Sequence, residues 1–268
     1  MTAEPIDADA LLLLAVDVGE EAAALLVSGL HRERTMVATK SSSTDMVTEM
    51  DQRSEALIVE RILAARPDDG LLGEEGTERT GTSGVTWVID PLDGTTNYLY
   101  GYPGFSVSLA AVVEARTLAA TVVDPIHHET WTATSDGGAH CNGETLSGPA
   151  PGPLGETLLA TGFSYDPGRR ARQGRMLSMV LPQVRDIRRG GGAAVDLCWV
   201  ACGRVDAFYE RGLAPWDLAA GALIAAEAGA RVADLDGAAA SGDGVLAAHP
   251  ERFDELAACL LAAGAPQA

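Results

Sequence analysis

Asp90 and Asp93 stand three residues apart in the stretch WVIDPLDGTTN, residues 87–97, at the end of an apolar run and directly before Gly94, Thr95 and Thr96. Two carboxylates this close, with the carbonyl of Leu92 between them, form a set of hard oxygen donors of the kind Mg²⁺ takes. That ion wants about six oxygens at roughly 2.0–2.1 Å and completes its shell with water and substrate phosphate. Gly94 lets the backbone pass close to a ligand, and the N–H groups of residues 94–96 can point at an anion from a turn or helix start. The chemistry this suggests is a metal ion meeting a phosphate. The same residues also fit a plain turn, in which Asp side chains only accept from nearby backbone N–H groups.

Three further segments bring acids to the ends of apolar elements. Leu71 to Glu75, LLGEE, finishes in Glu74 and Glu75; in PWDLAAG, Asp217 precedes a long apolar helix; Asp45 to Asp51, DMVTEMD, leads into a helix with Leu57, Ile58 and Ile62 on one face. Each has an ordinary structural explanation alone. Asp217, for example, suits a helix N-cap, worth about 0.5–2 kcal/mol. Taken in order, DxVTxxD, GEE, DPLDGTTN and WD resemble the pattern of the inositol monophosphatase family, the bacterial inositol-1-monophosphatases above all, from about Leu11 to about Leu261.

The resemblance implies a layered αβαβα sandwich of the inositol monophosphatase and fructose-1,6-bisphosphatase type, within a mixed α+β (α/β) class. It implies Mg²⁺-dependent hydrolysis of a phosphate monoester, foremost inositol 1-phosphate, with two or three ions per site. On this pattern Glu74, Asp90 and the Leu92 carbonyl hold the first ion, and Asp90, Asp93 and Asp217 the second. Thr95 positions or helps deprotonate the attacking water, Asp51 orients Thr95, and Glu74 assists. The N–H groups of Gly94 and Thr95 hold phosphate oxygens, while Asp93, Arg188, Gly192, Ala193, Glu210 and Asp217 face the substrate, and Lys40 sits on a lid. The chain departs from the pattern at Gly192, where the family has Ser or Thr, which loses a possible hydrogen bond to the alcohol. Related phosphatases act on histidinol phosphate, fructose 1,6-bisphosphate or adenosine bisphosphates, and metal motif and fold do not choose among these. The resemblance further implies a homodimer, lithium inhibition and, for some members, association with transcription machinery.

Composition agrees with a compact enzyme. A chain of 268 residues buries roughly 70–75% of its unfolded surface and needs no disulfide or structural metal for a core. The net charge is −19, from 38 acidic and 19 basic residues, so the surface repels nucleic acid and direct nucleic-acid binding is not expected. It repels a sugar phosphate too, and bound cations would have to supply the missing positive charge. The most basic segment, His31 to Thr44, carries Arg32, Arg34 and Lys40 against Glu33; it reads either as a loop over the site or as a solvated connector. Cys198 and Cys202 share a helical face, Cys141 and Cys259 stand alone, and there is no CxxC, which leaves zinc and redox readings without support. His127 and His128 read as a solvated turn. The first helix pattern contains Asp17, Glu20 and Glu21, so neither a membrane span nor a signal peptide is expected and the chain reads as cytoplasmic.

The elements that must position these groups follow from periodicity and breakers. The spacing predicts helices over about 8–30 and 47–65, then strands near 86–90, 105–113, 118–124 and 129–134, with Asn142-Gly143 as a tight turn. Pro91, lacking an N–H, is expected to stop its strand. Pro149, Pro151, Gly152 and Pro153 mark an internal boundary, dividing a single domain into two packed halves, about 1–150 and 154–268. The second half reads as a strand at 157–161, helices at 168–180 and 193–202, a strand at 204–210, a helix at 217–229, strands near 231 and 245, and a helix at 251–263. Periodicity alone gives mixed α and β with helices layered on sheets.

Overall fold

The computed structural model describes residues 6–30, 37–39 and 46–267. Lys40 and most of the basic segment lie outside these described residues. In the first half, α1 (Ala8–Gly29) is followed by β1 (Val37–Thr39), β2 (Met46–Thr48), α2 (Glu49–Ala65), β3 (Gly70–Gly73), β4 (Glu78–Arg79), β5 (Val85–Asp93) and α3 (Thr95–Tyr100). A run of strands then closes this half: β6 (Ser106–Val113), β7 (Arg116–Asp124), β8 (Glu129–Thr134), β9 (Gly138–Cys141) and β10 (Glu144–Thr145). The second half contains β11 (Leu158–Thr161), α4 (Pro167–Val180), β12 (Asp186–Arg188), α5 (Ala193–Ala201) and β13 (Ala207–Glu210). It ends with α6 (Pro215–Glu227), β14 (Arg231–Ala233), β15 (Val245–Ala248) and α7 (Pro250–Ala262).

The strands make an eight-stranded sheet in the order β10-β9-β8-β7-β6-β5-β3-β4, a five-stranded sheet in the order β12-β11-β13-β15-β14, and the small pair β1-β2. Alternation along each strand decides which helices cover which face. In the larger sheet Trp87, Ile89, Val107, Leu109 and Val123 pack on Leu11, Val18 and Leu26 of α1 and Ile58 and Ile62 of α2. Their neighbours Val88, Ala110, Val122 and Trp131 face the other way, onto Ala194 and Cys198 of α5 and Ala220 and Ile224 of α6. The smaller sheet repeats the scheme, with Ala160, Phe208 and Ala247 against Leu197 of α5 and Leu218 of α6. Its outer face, with Leu159, Tyr209 and Leu246, meets Met176 of α4 and Phe253 and Leu256 of α7. Helices α5 and α6 therefore form a central layer shared by both sheets, and the architecture is an αβαβα sandwich. Each large side chain fully buried here stabilises it by about 1.5–3 kcal/mol.

Several expectations need correction. Pro91 does not end its strand: Asp90 pairs with Ser108 and Asp93 with Ser106, with a bulge between them. Proline is tolerated at a bulge because no ladder N–H is required there. Asp217 is not an N-cap; α6 starts after Ala214, whose backbone N–H donates to Asp217 Oδ2 at 2.6 Å. Asp51 lies inside the first turn of α2 rather than at its start. The strand expected at 204–210 begins only at Ala207, because the N–H groups of Arg204 and Val205 turn back to Trp199 O at 2.9 and 3.3 Å. Asn142 and Gly143 both have positive φ, 50° and 82°, as a two-residue hairpin turn between β9 and β10 requires. Among the described residues no helix is long and apolar enough to cross a membrane.

Candidate active site

Strands β3 and β5 run parallel, with Gly73 opposite Ile89, so both release their acids at the same edge of the sheet. The second half brings the N-terminal ends of α5 and α6 to that edge. Between them lies a cavity of about 440 Å³, lined from one side by Glu74, Asp90, Leu92, Asp93, Gly94 and Thr95. Gly162, Arg189, Gly191 to Ala193, Asp196, Glu210 and Asp217 line the other. Glu74, Asp90, Asp93 and Asp217, separated by up to most of the chain, thus share one space.

Helix α2 fixes the first-half wall. Asp51, Ser54 and Glu55 are buried on its inner face at the i, i+3, i+4 spacing that puts side chains on one side. Thr95 Oγ1 lies 3.0 Å from Asp51 Oδ1 and 3.1 Å from Leu92 O, and its single proton can go to one of them at a time. Ser54 Oγ donates to Pro91 O at 2.9 Å. The Glu55 carboxylate accepts from Glu75 N at 2.8 Å and Thr77 N at 3.1 Å, which anchors the loop carrying Glu74. On the far side, Asn97 Nδ2 donates to Gly104 O and to Gly190 O, at 2.6 and 2.9 Å, tying the two halves at the cavity rim.

The electrostatics of this wall are unfavourable for carboxylates standing alone. Burial pushes Asp90 well above the ordinary aspartate range, and the charges of Glu74, Asp93 and Asp217 push it further. A side-chain hydrogen bond between Asp90 and Glu74 adds to the rise, and two carboxyls in such contact must share a proton unless a cation takes its place. Asp93 is raised to about 6 by burial, although the Ala194 backbone N–H, at 2.9 Å from Oδ2, opposes this. A divalent ion would remove the conflict, and the donors present are the hard oxygens it prefers. Among the described residues no three acidic, His or Cys side chains already close around a single point; the acids line a cavity rather than form a finished cage.

The other expected residues fall unevenly. Glu210 lines the cavity, and burial first, then Asp217 and Asp93, raise it to about 8 against the opposing charges of Arg189 and Arg169. Arg188 does not line the cavity: it ends β12 and its Nη1 donates to Asp186 Oδ2 at 2.6 Å on the exposed side. Arg189, the next residue, lines it instead, because consecutive residues in extended chain point opposite ways. Asp51 does not line the cavity but is buried behind Thr95, whose hydroxyl it contacts. Gly94 lines the cavity with φ 87°, and a Cβ there would stand 3.0 Å from Gly104 O, so backbone conformation and packing both call for glycine. Lys40 is outside the described residues. Ser54, Glu55, Asn97 and Asp196 escaped the sequence reading. For Ser54 and Glu55 the available signal was a polar pair on the otherwise apolar face of α2.

Comparison with known proteins accords with this arrangement. The sequence model of the Inositol monophosphatase family matches residues 7–264. The inositol-1-monophosphatase SuhB of Mycobacterium tuberculosis is 46% identical over 235 residues, covering 84% of this chain and 81% of the relative. The Nus factor SuhB of Escherichia coli is 41% identical over 229 residues, with coverages of 85% and 86%. The crystal structure of extragenic suppressor protein SuhB from Bartonella henselae superposes with a TM-score of 0.89 at 34% identity, covering 94% of this chain and 98% of that one. By class, then, the protein is a phosphoric monoester hydrolase. It belongs to the inositol monophosphatase family.

Proposed function

We propose that the protein hydrolyses a phosphate monoester of a polyol, inositol 1-phosphate before others, and that Mg²⁺ serves it as cofactor. The observation that carries this reading is the convergence of Glu74, Asp90, Asp93 and Asp217 on one cavity, where Asp90 is disfavoured as an anion by all three neighbours. Glu74, Asp90 and the Leu92 carbonyl would hold one ion, and Asp90, Asp93 and Asp217 another. Phosphate monoesters hydrolyse so slowly unaided that the barrier reduction can exceed about 20 kcal/mol. When bound, divalent cations supply compensation of phosphate charge and acidification of water.

The chain's own groups do the rest. Thr95, its proton directed to Asp51, turns oxygen lone pairs toward the cavity and accepts a hydrogen bond from the attacking water, which fixes that water's approach. Glu74, which lines the same cavity, takes up the proton that the water loses, and the leaving alcohol oxygen takes a proton in turn. Backbone N–H groups of Gly94 and Thr95 receive phosphate oxygens, and Glu210 and Asp93 receive hydroxyls of the alcohol. Direct attack by water needs no covalent intermediate.

The test is turnover of inositol 1-phosphate, histidinol phosphate, fructose 1,6-bisphosphate and an adenosine bisphosphate, each with Mg²⁺ and with EDTA. Turnover is expected to vanish in EDTA, return with Mg²⁺ and favour inositol 1-phosphate; full activity in chelator contradicts the metal assignment. Lithium inhibition and a homodimer belong to the same reading and are checked by titration and light scattering. The Nus factor name of the Escherichia coli relative favours a second, protein-binding role beside catalysis. Under that role Asp93→Asn abolishes turnover and leaves the cellular phenotype intact.

A further inference from the structure

Four glycines around the cavity stand where polar side chains need room. A Cβ on Gly192 would lie 2.8 Å from Asp93 Oδ2. One on Gly190 would overlap Asp196 Oδ1, one on Gly191 would overlap Arg189 Nη1, and one on Gly162 would overlap the Glu210 carboxylate. Asp93 and Glu210 already have parts in the reading above; Asp196 has none. It lines the cavity from α5 and is only 1% exposed. Its Oδ1 is buried with no hydrogen-bond partner, a state that folded proteins rarely leave uncorrected. Arg189 provides opposite charge nearby, while Glu210 and Asp93 add like charge.

Position on the helix relates Asp196 to the departure at Gly192. Gly192 caps α5, and the Asp196 N–H donates to its carbonyl at 3.0 Å, so the two residues are one turn apart on the same face. A side-chain hydroxyl absent at 192 can thus be replaced by a carboxyl reaching the same wall from 196. We propose that Asp196 is a specificity-determining residue that binds a hydroxyl of the substrate's alcohol part, beside Glu210 and with Arg189 as its counter-charge. A hydroxyl both donates and accepts, so it can pair with this carboxyl whether or not the carboxyl holds a proton. This rests on the reading of the cavity as a phosphomonoesterase site and adds to it a selector for polyol esters.

The experiment compares Asp196→Ala and Asp196→Asn with the unaltered enzyme on inositol 1-phosphate and on 4-nitrophenyl phosphate, whose leaving group carries no further hydroxyl. The ratio of kcat/KM between the two substrates is expected to fall at least tenfold in Asp196→Ala and at least threefold in Asp196→Asn, chiefly through KM for inositol 1-phosphate. Should the alanine variant fail to fold, the asparagine variant decides alone. Equal losses on both substrates, or an unchanged ratio in a folded variant, overturn the proposal and leave Asp196 a structural acid. Absence of Mg²⁺-dependent turnover of either ester by the unaltered enzyme instead overturns the phosphatase reading beneath it.

Discussion

Thr95 and Asp51 illustrate how little of a site a cavity wall reveals. The carboxylate is fully buried and, among the described residues, meets the cavity wall at the Thr95 hydroxyl, so the two should act as a unit. Thr95→Ala is expected to lower kcat at least 100-fold, Asp51→Ala somewhat less, and the double variant no more than Thr95→Ala alone. Additive losses in a double-mutant cycle would show that Asp51 works independently. Glu210 makes a prediction about pH. Its folded pKa of about 8 exceeds the ordinary glutamate value, so the folded state holds a proton that the unfolded state has released. Stability from this group is therefore complete below about pH 4.5 and drains away as pH rises through about 8. In EDTA, the thermal midpoint of Glu210→Gln should gain on that of the unaltered protein over this range. The groups facing Glu210 are Asp217, Asp93 and Asp196 with like charge and Arg189 and Arg169 with opposite charge; a constant difference across the range would mean that they hold its titration at the ordinary value.

Helix α2 has more influence on the site than its lack of cavity-lining residues suggests. Its inner face holds Thr95 through Asp51, the bulge of β5 through Ser54 and the Glu74 loop through Glu55. Glu55 is 4% exposed and serves two backbone N–H groups. Exchanging one of its oxygens for an amide NH₂ sets donor against donor. Glu55→Gln should cost about 1.5–3 kcal/mol of stability, read by denaturant unfolding, and should weaken Mg²⁺ activation as Glu74 loses its anchor. Unaltered activation at full stability would remove α2 from the positioning of Glu74. The bulge at Pro91 is the matching device on β5. It interrupts the ladder between Asp90 and Asp93 while both stay paired with β6, which keeps both acids on a rigid element rather than a loose loop.

At the level of the whole molecule, α5 and α6 bury residues against both sheets, and without them each sheet would have one apolar face uncovered. We propose that the two halves fold as one unit. Calorimetry should show a single transition with equal calorimetric and van't Hoff enthalpies, whereas two separable transitions would define two domains. Cations should raise its midpoint, because a ligand that binds only the folded state stabilises it by about 2.7 kcal/mol at 100 times its Kd. The net charge of −19 points the same way, since the acids gathered in the cavity repel one another as well as an anionic substrate.

Much of this protein was legible along the chain. Local periodicity and breakers marked the long helices and the longer strands, though not α3 or short strands such as β1, β2, β4 and β12, and the four acidic segments in order announced the family. These features depend on near neighbours, which a linear reading sees. What remained hidden depended on distance and direction. Whether Arg188 or Arg189 faces the cavity turns on the phase of one extended segment. That Pro91 sits at a bulge, that Gly192 makes way for Asp93, and that Asp196 stands buried beside Glu210 follow only once two sheets close on a shared helical layer. Packing brings residues a hundred positions apart within a few ångströms, and no spacing along the sequence encodes the volume they must then share.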